Sequence, residues 1–334
     1  MSHNKYRKEN EQIDIVYTWV DGDDPLLQEK KKKYIDRTTS DTLEDAVSDT
    51  RYKNIEELRY SLRSVYLFMP WVHKIYIVVD DCQKPYYINE EHPKIEIVTH
   101  STIFPDSSYL PTFNSQSIET NLHRIPGLLN KFIYFNDDFF VGRYIDPSDL
   151  ISEDGRPYIF TDFLSFINYY DYLPENSHTI ASRNTNSFIK SVLQKQRIYN
   201  QWHHPVLLEK QMFIRAEELF PELFKFNMSF KFRSIQQYHI IALINILSYE
   251  LGYKIEKEKL YSILYINISY TEEDTVLKWL HELNNILLPF YLNRIYKNRP
   301  YYFCLNNITP SHQNIDLIKK FLEYYYPNKC PYEK

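Results

Sequence analysis

The chain has 334 residues, enough for one large domain or two ordinary ones with ample material for a core. A formal net charge of -5 supplies no global basic field, which disfavours wholesale nucleic-acid binding and leaves a small molecule or a glycan as the expected partner. With only 5 glycines a Gly-rich phosphate loop is excluded, so any phosphate must be held by side chains, helix N-termini or metal. Cys82, Cys304 and Cys330 are scattered and lack a CxxC, which argues against a disulfide framework or a structural zinc site and fits a reducing compartment.

In chain order, the polar segment 1–12 is expected to be disordered and carries no apolar leader core, and no later window offers the roughly 18 apolar residues of a spanning helix. "IDIVYTWV" (13–20) reads as a first strand, with Asp21, Asp23 and Asp24 in the turn after it. Pro25 suits the first turn of a helix that runs into the solvated lysines 30–33. From Asn54, "NIEELRYSLRSVYLFMPWV" places Ile55, Leu58, Leu62, Val65 and Tyr66 on one helical face, with Arg59 and Arg63 one turn apart on another. "HKIYIVVDD" and "KIEIVTH" supply two more strands, "SQSIETNLHRI" a serine-capped helix and "KFIYFNDD" a fourth strand ending in Asp137 and Asp138. Strands alternating with helices predict an α/β fold, a mostly parallel sheet with flanking helices whose ligands gather at the C-terminal strand ends, where these acids fall.

After about Pro147 the alternation weakens. "RPYIFTDFLSF" suggests a further strand, "TNSFIKSVLQKQ" and "PVLLEKQMFIRAEELFPELF" read as helices, and "MSFKFRS" as a strand or turn. Helices follow over 236–252, "TVLKWLHELNNILLPFYL" and "NIDLIKKFLEYYYP", giving a helical C-terminal part. The expected organisation is one unit over 13–334, divided into an α/β core at 13–147 and an acceptor-side, helical part at 148–334.

Taken together, "IDIVYTWVDGDD", "RYKNIEELRYSLRSVYLFMPWVHKIYIVVDD" with "HSTIFPDSSYLPTFNSQSIETNLHRIPGLLNKFIYFNDDFFVG", "WHHPVLLEKQMF" and "YYFCLNNI" resemble the four conserved regions of the Stealth family. Its members are capsular or cell-surface polysaccharide phosphotransferases, similar to the catalytic subunit of animal N-acetylglucosamine-1-phosphotransferase. The resemblance implies a nucleotide-sugar-transferase-like fold. It also implies transfer of a sugar 1-phosphate from a nucleotide sugar, UDP-linked, to a hydroxyl of a surface or capsular polysaccharide, with release of nucleoside monophosphate. Such a reaction needs neutralised diphosphate charge, a base for the incoming hydroxyl and in-line placement of the entering and leaving oxygens.

Asp137 and Asp138 are hard oxygen donors suited to Mg²⁺ or Mn²⁺, and the family match favours Asp138. Alone, such a pair reads more readily as a turn capping the next element than as a site. The resemblance marks Glu119 for metal or acceptor binding, His203 as general base through an imidazole titrating near neutrality, and Arg233 for the phosphate. Trp19 and Asp21 are assigned to the nucleotide end, with a core indole and a turn as their plainer readings. Arg59, Arg63 and Arg183 are further phosphate candidates, and for Arg59 and Arg63 a packing and salt-bridge role competes. His123 and Arg124 read as a helix-surface ion pair. This chain departs from the family at Val206, where a second histidine is usual, and at Asn306–Asn307, where the family has Asn-Asp.

Two other classes compete with this reading. A metal-dependent glycosyltransferase would use the same donor but release nucleoside diphosphate, and a non-catalytic scaffold of glycan assembly would have lost Asp137, Asp138 or His203, which are all present. A nuclease is disfavoured by the acidic balance, so no nucleic acid is expected. The expected partners are a nucleotide-sugar donor, a glycan or lipid-linked polysaccharide acceptor and capsule-assembly proteins, at a cytoplasmic location peripheral to the inner face of the membrane.

Overall fold

Buried apolar runs make the central sheet of this protein, whose structure is a computed structural model describing residues 12–35, 40–48, 54–161, 171, 175–194, 203–258, 263–267, 275–306 and 312–334. β1 (Asp14–Thr18), β2 (Ile75–Val79), β3 (Ile95–Thr99) and β4 (Lys131–Asn136) run parallel, and β7 (Val206–Glu209) closes one edge antiparallel, in the order β3-β2-β1-β4-β7. β1 and β2 are buried along nearly their whole length, as befits central strands of a sheet covered on both faces. The fold is thus the expected mostly parallel sheet with flanking helices.

Alternation along the strands divides the core in two. Val16, Tyr76, Val78, Phe132, Tyr134 and Leu208 pack with helices Lys210–Leu219 and Ile240–Glu250. Ile15, Tyr17, Ile75, Ile77, Ile133 and Phe135 face Leu58, Leu62 and Val65 of helix Glu57–Phe68 on the other side. That helix stops before Pro70, as expected, and Pro25 opens helix Pro25–Ile35, whose first turn is capped by Asp24 Oδ1 accepting from the Leu26 and Leu27 N–H groups.

Two expectations are corrected. The first turn of the predicted helix "PVLLEKQMFIRAEELFPELF" is β7: four apolar residues are too few for periodicity to separate strand from helix, and Val206 pairs with Tyr134. The remainder is split by Pro221 into helices Lys210–Leu219 and Pro221–Met228. Of the strand or turn expected for "MSFKFRS", the turn forms: Met228 closes that second helix and 229–234 are a loop held by side-chain hydrogen bonds and not by a ladder. β6 (Tyr158–Thr161) accounts for the start of "RPYIFTDFLSF" and pairs with β8 (Ile255–Glu258), while 162–170 lie outside the described residues, as do 1–11.

The tail adds strands where only helices were expected. β5 (Phe139–Val141), immediately after the Asp137–Asp138 turn, pairs antiparallel with β10 (Tyr302–Asn306), and β10 pairs parallel with β9 (Ile263–Asn267). Phe140, Phe303, Leu322, Tyr325 and Tyr326 fill a third core between this small sheet and helices Thr275–Asn298 and His312–Tyr325. Gly142 is required here by proximity: a Cβ would lie 2.3 Å from the Pro300 carbonyl oxygen. Among the described residues no helix is long and apolar enough to cross a membrane.

Candidate active site

Asp138 is aimed by its turn. β4 ends at Asn136 beside Thr18 of β1, and β5 begins at Phe139, so the two aspartates stand at the C-terminal edge of the parallel sheet. The Leu305 N–H donates to the Asp138 carbonyl at 3.3 Å, tying the turn to β10. Cys304 Sγ donates to Asp138 Oδ2 at 3.2 Å, and His203 Nε2 lies 4.0 Å from the same oxygen. Among the described residues, Asp138 Oδ1 is buried with no hydrogen-bond partner. Burial raises the carboxyl to about 6, opposed by the Cys304 thiol and by backbone N–H donation. Asp137 is raised well above the carboxylate range by burial and then by the charges of Glu57 and Asp138, and Glu57 in turn rises to about 7, first through burial. Three carboxyl groups therefore crowd one turn, an arrangement that a divalent cation relieves.

Glu119 is the last residue of helix Ser115–Glu119, which Asn114 caps by accepting from the Gln116 N–H. It accepts from the Tyr134 hydroxyl at 3.0 Å, and that hydroxyl also contacts Thr18 Oγ1 at 3.0 Å, so Glu119 is moored to the ends of β4 and β1. Its carboxyl is raised to about 7 by burial, against the opposing pull of Arg233, Tyr134 and Ser115. Arg233 donates to Ser115 Oγ at 2.5 Å. The loop carrying Arg233 has no regular structure of its own and is fixed by a buried polar network. Asn114 Nδ2 donates to the Phe232 carbonyl and to Gln237 Oε1, Ser117 Oγ donates to the Asn227 carbonyl at 2.9 Å, and Asn227 Nδ2 donates to Thr120 Oγ1 at 2.9 Å.

His203 stands just before β7, its ring edge-on to Phe139 with centroids 4.8 Å apart. In place of titration near neutrality, burial lowers its pKa to about 3, reinforced by the positive potential of His239, His204 and Arg233. The imidazole is neutral at physiological pH, with Nε2 facing Asp138. His204 points elsewhere, its Nδ1–H donating to the Pro205 carbonyl at 2.6 Å.

Asp138 thus adjoins His203, and the charge of Arg233 reaches both His203 and Glu119, which links the four. Two members were missed from sequence: His178 lies 5.0 Å from the ring of His239 and 6.4 Å from that of His203. His239 caps helix Ile240–Glu250, its Nδ1 accepting from the Ala242 N–H at 3.2 Å, which leaves the proton on Nε2. Neither carries a motif, since His239 is recognisable only as the residue before a long apolar helix.

The remaining candidates have other surroundings. Trp19 is buried in the core beneath helix Glu57–Phe68, with its indole N–H unpartnered. Asp21 is stitched to Gln83, donating its N–H to Oε1 at 3.2 Å and accepting from Nε2 at its carbonyl. Arg63 makes a bidentate pair with Glu333 at 2.8 Å and donates to the Tyr326 carbonyl, while Arg59 pairs with Glu56 and lies 4.6 Å over the Tyr87 ring. Both arginines thus serve tail docking, the packing alternative. Arg183 pairs with Glu175 and Asp171 on the surface. His123 and Arg124 share Glu217, but His123 is buried and its pKa is lowered first by that burial, so the expected surface ion pair holds for Arg124 and Glu217 alone. The side chains of Asn306 and Asn307 lie outside the described residues.

Residues 11–39 match the Stealth protein CR1, conserved region 1, and residues 51–159 the Stealth protein CR2, conserved region 2. The chain is 31% identical over 96% of its length to an exopolysaccharide phosphotransferase of Streptomyces coelicolor, covering 33% of that protein. It is 32% identical, again over 96% of its length, to the exopolysaccharide phosphotransferase CpsY of Mycobacterium tuberculosis, covering 58% of it. The chain therefore spans between a third and three fifths of these curated relatives. A solved galactosyltransferase, LgtC, shares 9% identity with a TM-score of 0.45 over 93% of this chain and 96% of its own.

Proposed function

The chain belongs to the Stealth family, and from that premise we propose that it transfers a hexose- or N-acetylhexosamine-1-phosphate from a UDP-linked sugar to a hydroxyl of a surface or capsular polysaccharide. The observation that supports this reading is the approach of His203 to Asp138 at the C-terminal edge of the parallel sheet, with Arg233 near enough to act on both His203 and Glu119. The acceptor oxygen loses its proton to His203 Nε2 and bonds to the β-phosphorus, and the bond from that phosphorus to the bridging oxygen breaks. Nucleoside monophosphate leaves, and a phosphodiester remains.

Asp138 fits a divalent cation through its buried, unpartnered Oδ1, and Asp137 beside it would share the load. Mg²⁺ or Mn²⁺ held there supplies neutralisation of diphosphate charge. Arg233 is placed to take phosphoryl oxygens, with Ser115 fixing its guanidinium. Its positive charge now depresses the His203 pKa, so phosphate bound against it would strengthen His203 as a base when the donor arrives. Glu119, held by Tyr134, would orient the acceptor hydroxyl or help to hold the cation. Buried Phe139, beside the acidic pair, would help to exclude water from the reacting centre.

The test is to incubate purified protein with Mg²⁺, a panel of nucleotide sugars and a glycan acceptor, and to identify the released nucleotide by mass. Nucleoside monophosphate, with an acceptor heavier by sugar plus phosphate, is expected. Nucleoside diphosphate, with an acceptor heavier by sugar alone, would make the protein a glycosyltransferase and overturn the reading.

A further inference from the structure

The spacing of the cysteines argues against zinc from sequence, but that argument concerns cysteine pairs only. In three dimensions a single cysteine joins two other donors. Cys304 Sγ, Asp138 Oδ2 and His203 Nε2 come from β10, the β4–β5 turn and the segment before β7, and they lie within 4.8 Å of one another. Two of the separations are 3.2 Å for sulfur to oxygen and 4.0 Å for nitrogen to oxygen. A tetrahedral ion with bonds of about 2.0 to 2.3 Å sets its ligands roughly 3.3 to 3.8 Å apart, so these atoms already sit near the corners of such a site. One sulfur, one imidazole nitrogen and one carboxylate are the donors of an open, three-ligand zinc site, whereas Mg²⁺ takes oxygen and retains water.

We propose that Asp138, His203 and Cys304 bind a thiophilic divalent cation of the Zn²⁺ class, and that this ion silences the site by occupying His203 Nε2. The inhibitory half rests on the phosphotransferase reading, and the binding half does not. On binding, the Cys304 S–H proton passes to solvent and its hydrogen bond to Asp138 is replaced by two metal bonds. Thiolate and carboxylate together cancel the charge of the ion, so the occupied triangle is neutral, which suits its half-buried position. A hard cation can engage Asp138 through Oδ1, on the other side of the carboxylate, without touching the sulfur. The two classes of ion would then share one aspartate through its two oxygens, and only the thiophilic one would remove the base.

Co²⁺ reports the ligand set directly. The full chain, stripped with chelator, is titrated with CoCl₂. A near-ultraviolet sulfur-to-cobalt charge-transfer band growing to one equivalent is expected, lost on addition of ZnCl₂. Cys304→Ser should abolish the band, and His203→Ala should weaken Co²⁺ binding by at least about tenfold, given that loss of an outer-shell partner alone costs 10- to 100-fold. Cys82→Ser, at a thiol outside the triangle, should leave it unchanged. No band in the unmodified protein, or a band that survives in Cys304→Ser, overturns the site. Turnover with Mg²⁺ should fall as Zn²⁺ is added, and Cys304→Ser should resist Zn²⁺ relative to its own Zn²⁺-free rate. Zn²⁺-insensitive turnover alongside a positive cobalt spectrum would refute the inhibitory half alone. An absent band in a protein that releases nucleoside monophosphate would refute the site and leave the reaction standing.

Discussion

Glu119→Gln should make the protein more stable in alkaline solution while impairing turnover. In the folded chain the Glu119 carboxyl titrates at about 7, because burial outweighs the help of Arg233, Tyr134 and Ser115, whereas its ordinary value is 4.5. Below the ordinary value the carboxyl is protonated in both the folded and the unfolded chain and costs nothing. Between the two values the unfolded chain has released its proton and the folded chain has not, so stability falls as pH rises. Above 7 the group is ionised in both states and the loss is complete. At about 1.4 kcal/mol for each pH unit, the interval corresponds to about 3 kcal/mol. The amide can still accept from the Tyr134 hydroxyl but does not ionise. Urea unfolding of the two proteins, compared at each pH from about 4 to 8, should show the variant gaining about 3 kcal/mol relative to the parent across that range. A difference that stays flat with pH would mean that Glu119 ionises at its ordinary value, and the account of its burial would fail.

Other consequences can be measured as directly. Asp138→Asn should abolish metal-dependent transfer while the urea midpoint is kept or raised, since an ionisable group in a buried turn is removed; near-parental turnover would take the carboxylate out of the chemistry. His203→Ala should lower kcat by about 10²- to 10⁴-fold, the range of a lost general base, with donor binding by calorimetry unchanged. Gly142→Ala forces a methyl against the Pro300 carbonyl, and a loss of about 1–3 kcal/mol in unfolding free energy is expected. Asn114→Ala strips a helix cap and two buried acceptors of their donor, costing about 2–5 kcal/mol and releasing the Arg233 loop, visible as faster amide exchange over 229–237.

Much of the sheet was legible because its strands are uninterrupted apolar runs bounded by acids and prolines, a pattern few other structures can use. Asp137 and Asp138 could be placed at a strand end for the same reason. The failures have a common physical cause. Val206–Glu209 is four residues long, below the length at which periodicity distinguishes strand from helix, and only its partner β4 decides the matter. β10 is likewise defined by its neighbours β5 and β9, so the arrival of Cys304 beside Asp138 could not be read from a cysteine count. Arg59 and Arg63 looked available on a helix surface, yet Glu333 lies 270 residues from Arg63 along the chain and claims it. For His203, the residue type announces a base, but its pKa is set first by burial and then by His239, His204 and Arg233, which are facts of packing.

The pairing of β5 with β10 also has a consequence in time. Synthesis runs from the N-terminus, and the four parallel strands are finished once residue 136 has emerged. Cys304 and the Leu305 N–H, which fasten the Asp138 turn, are made more than 160 residues afterwards. At the tens of residues per second or fewer of translation, a nascent chain carries its four parallel strands for many seconds before the Asp138 carboxylate is secured. Until then the edge of β5 is open and the turn is untethered, so the reacting centre is among the last parts of the molecule to be assembled.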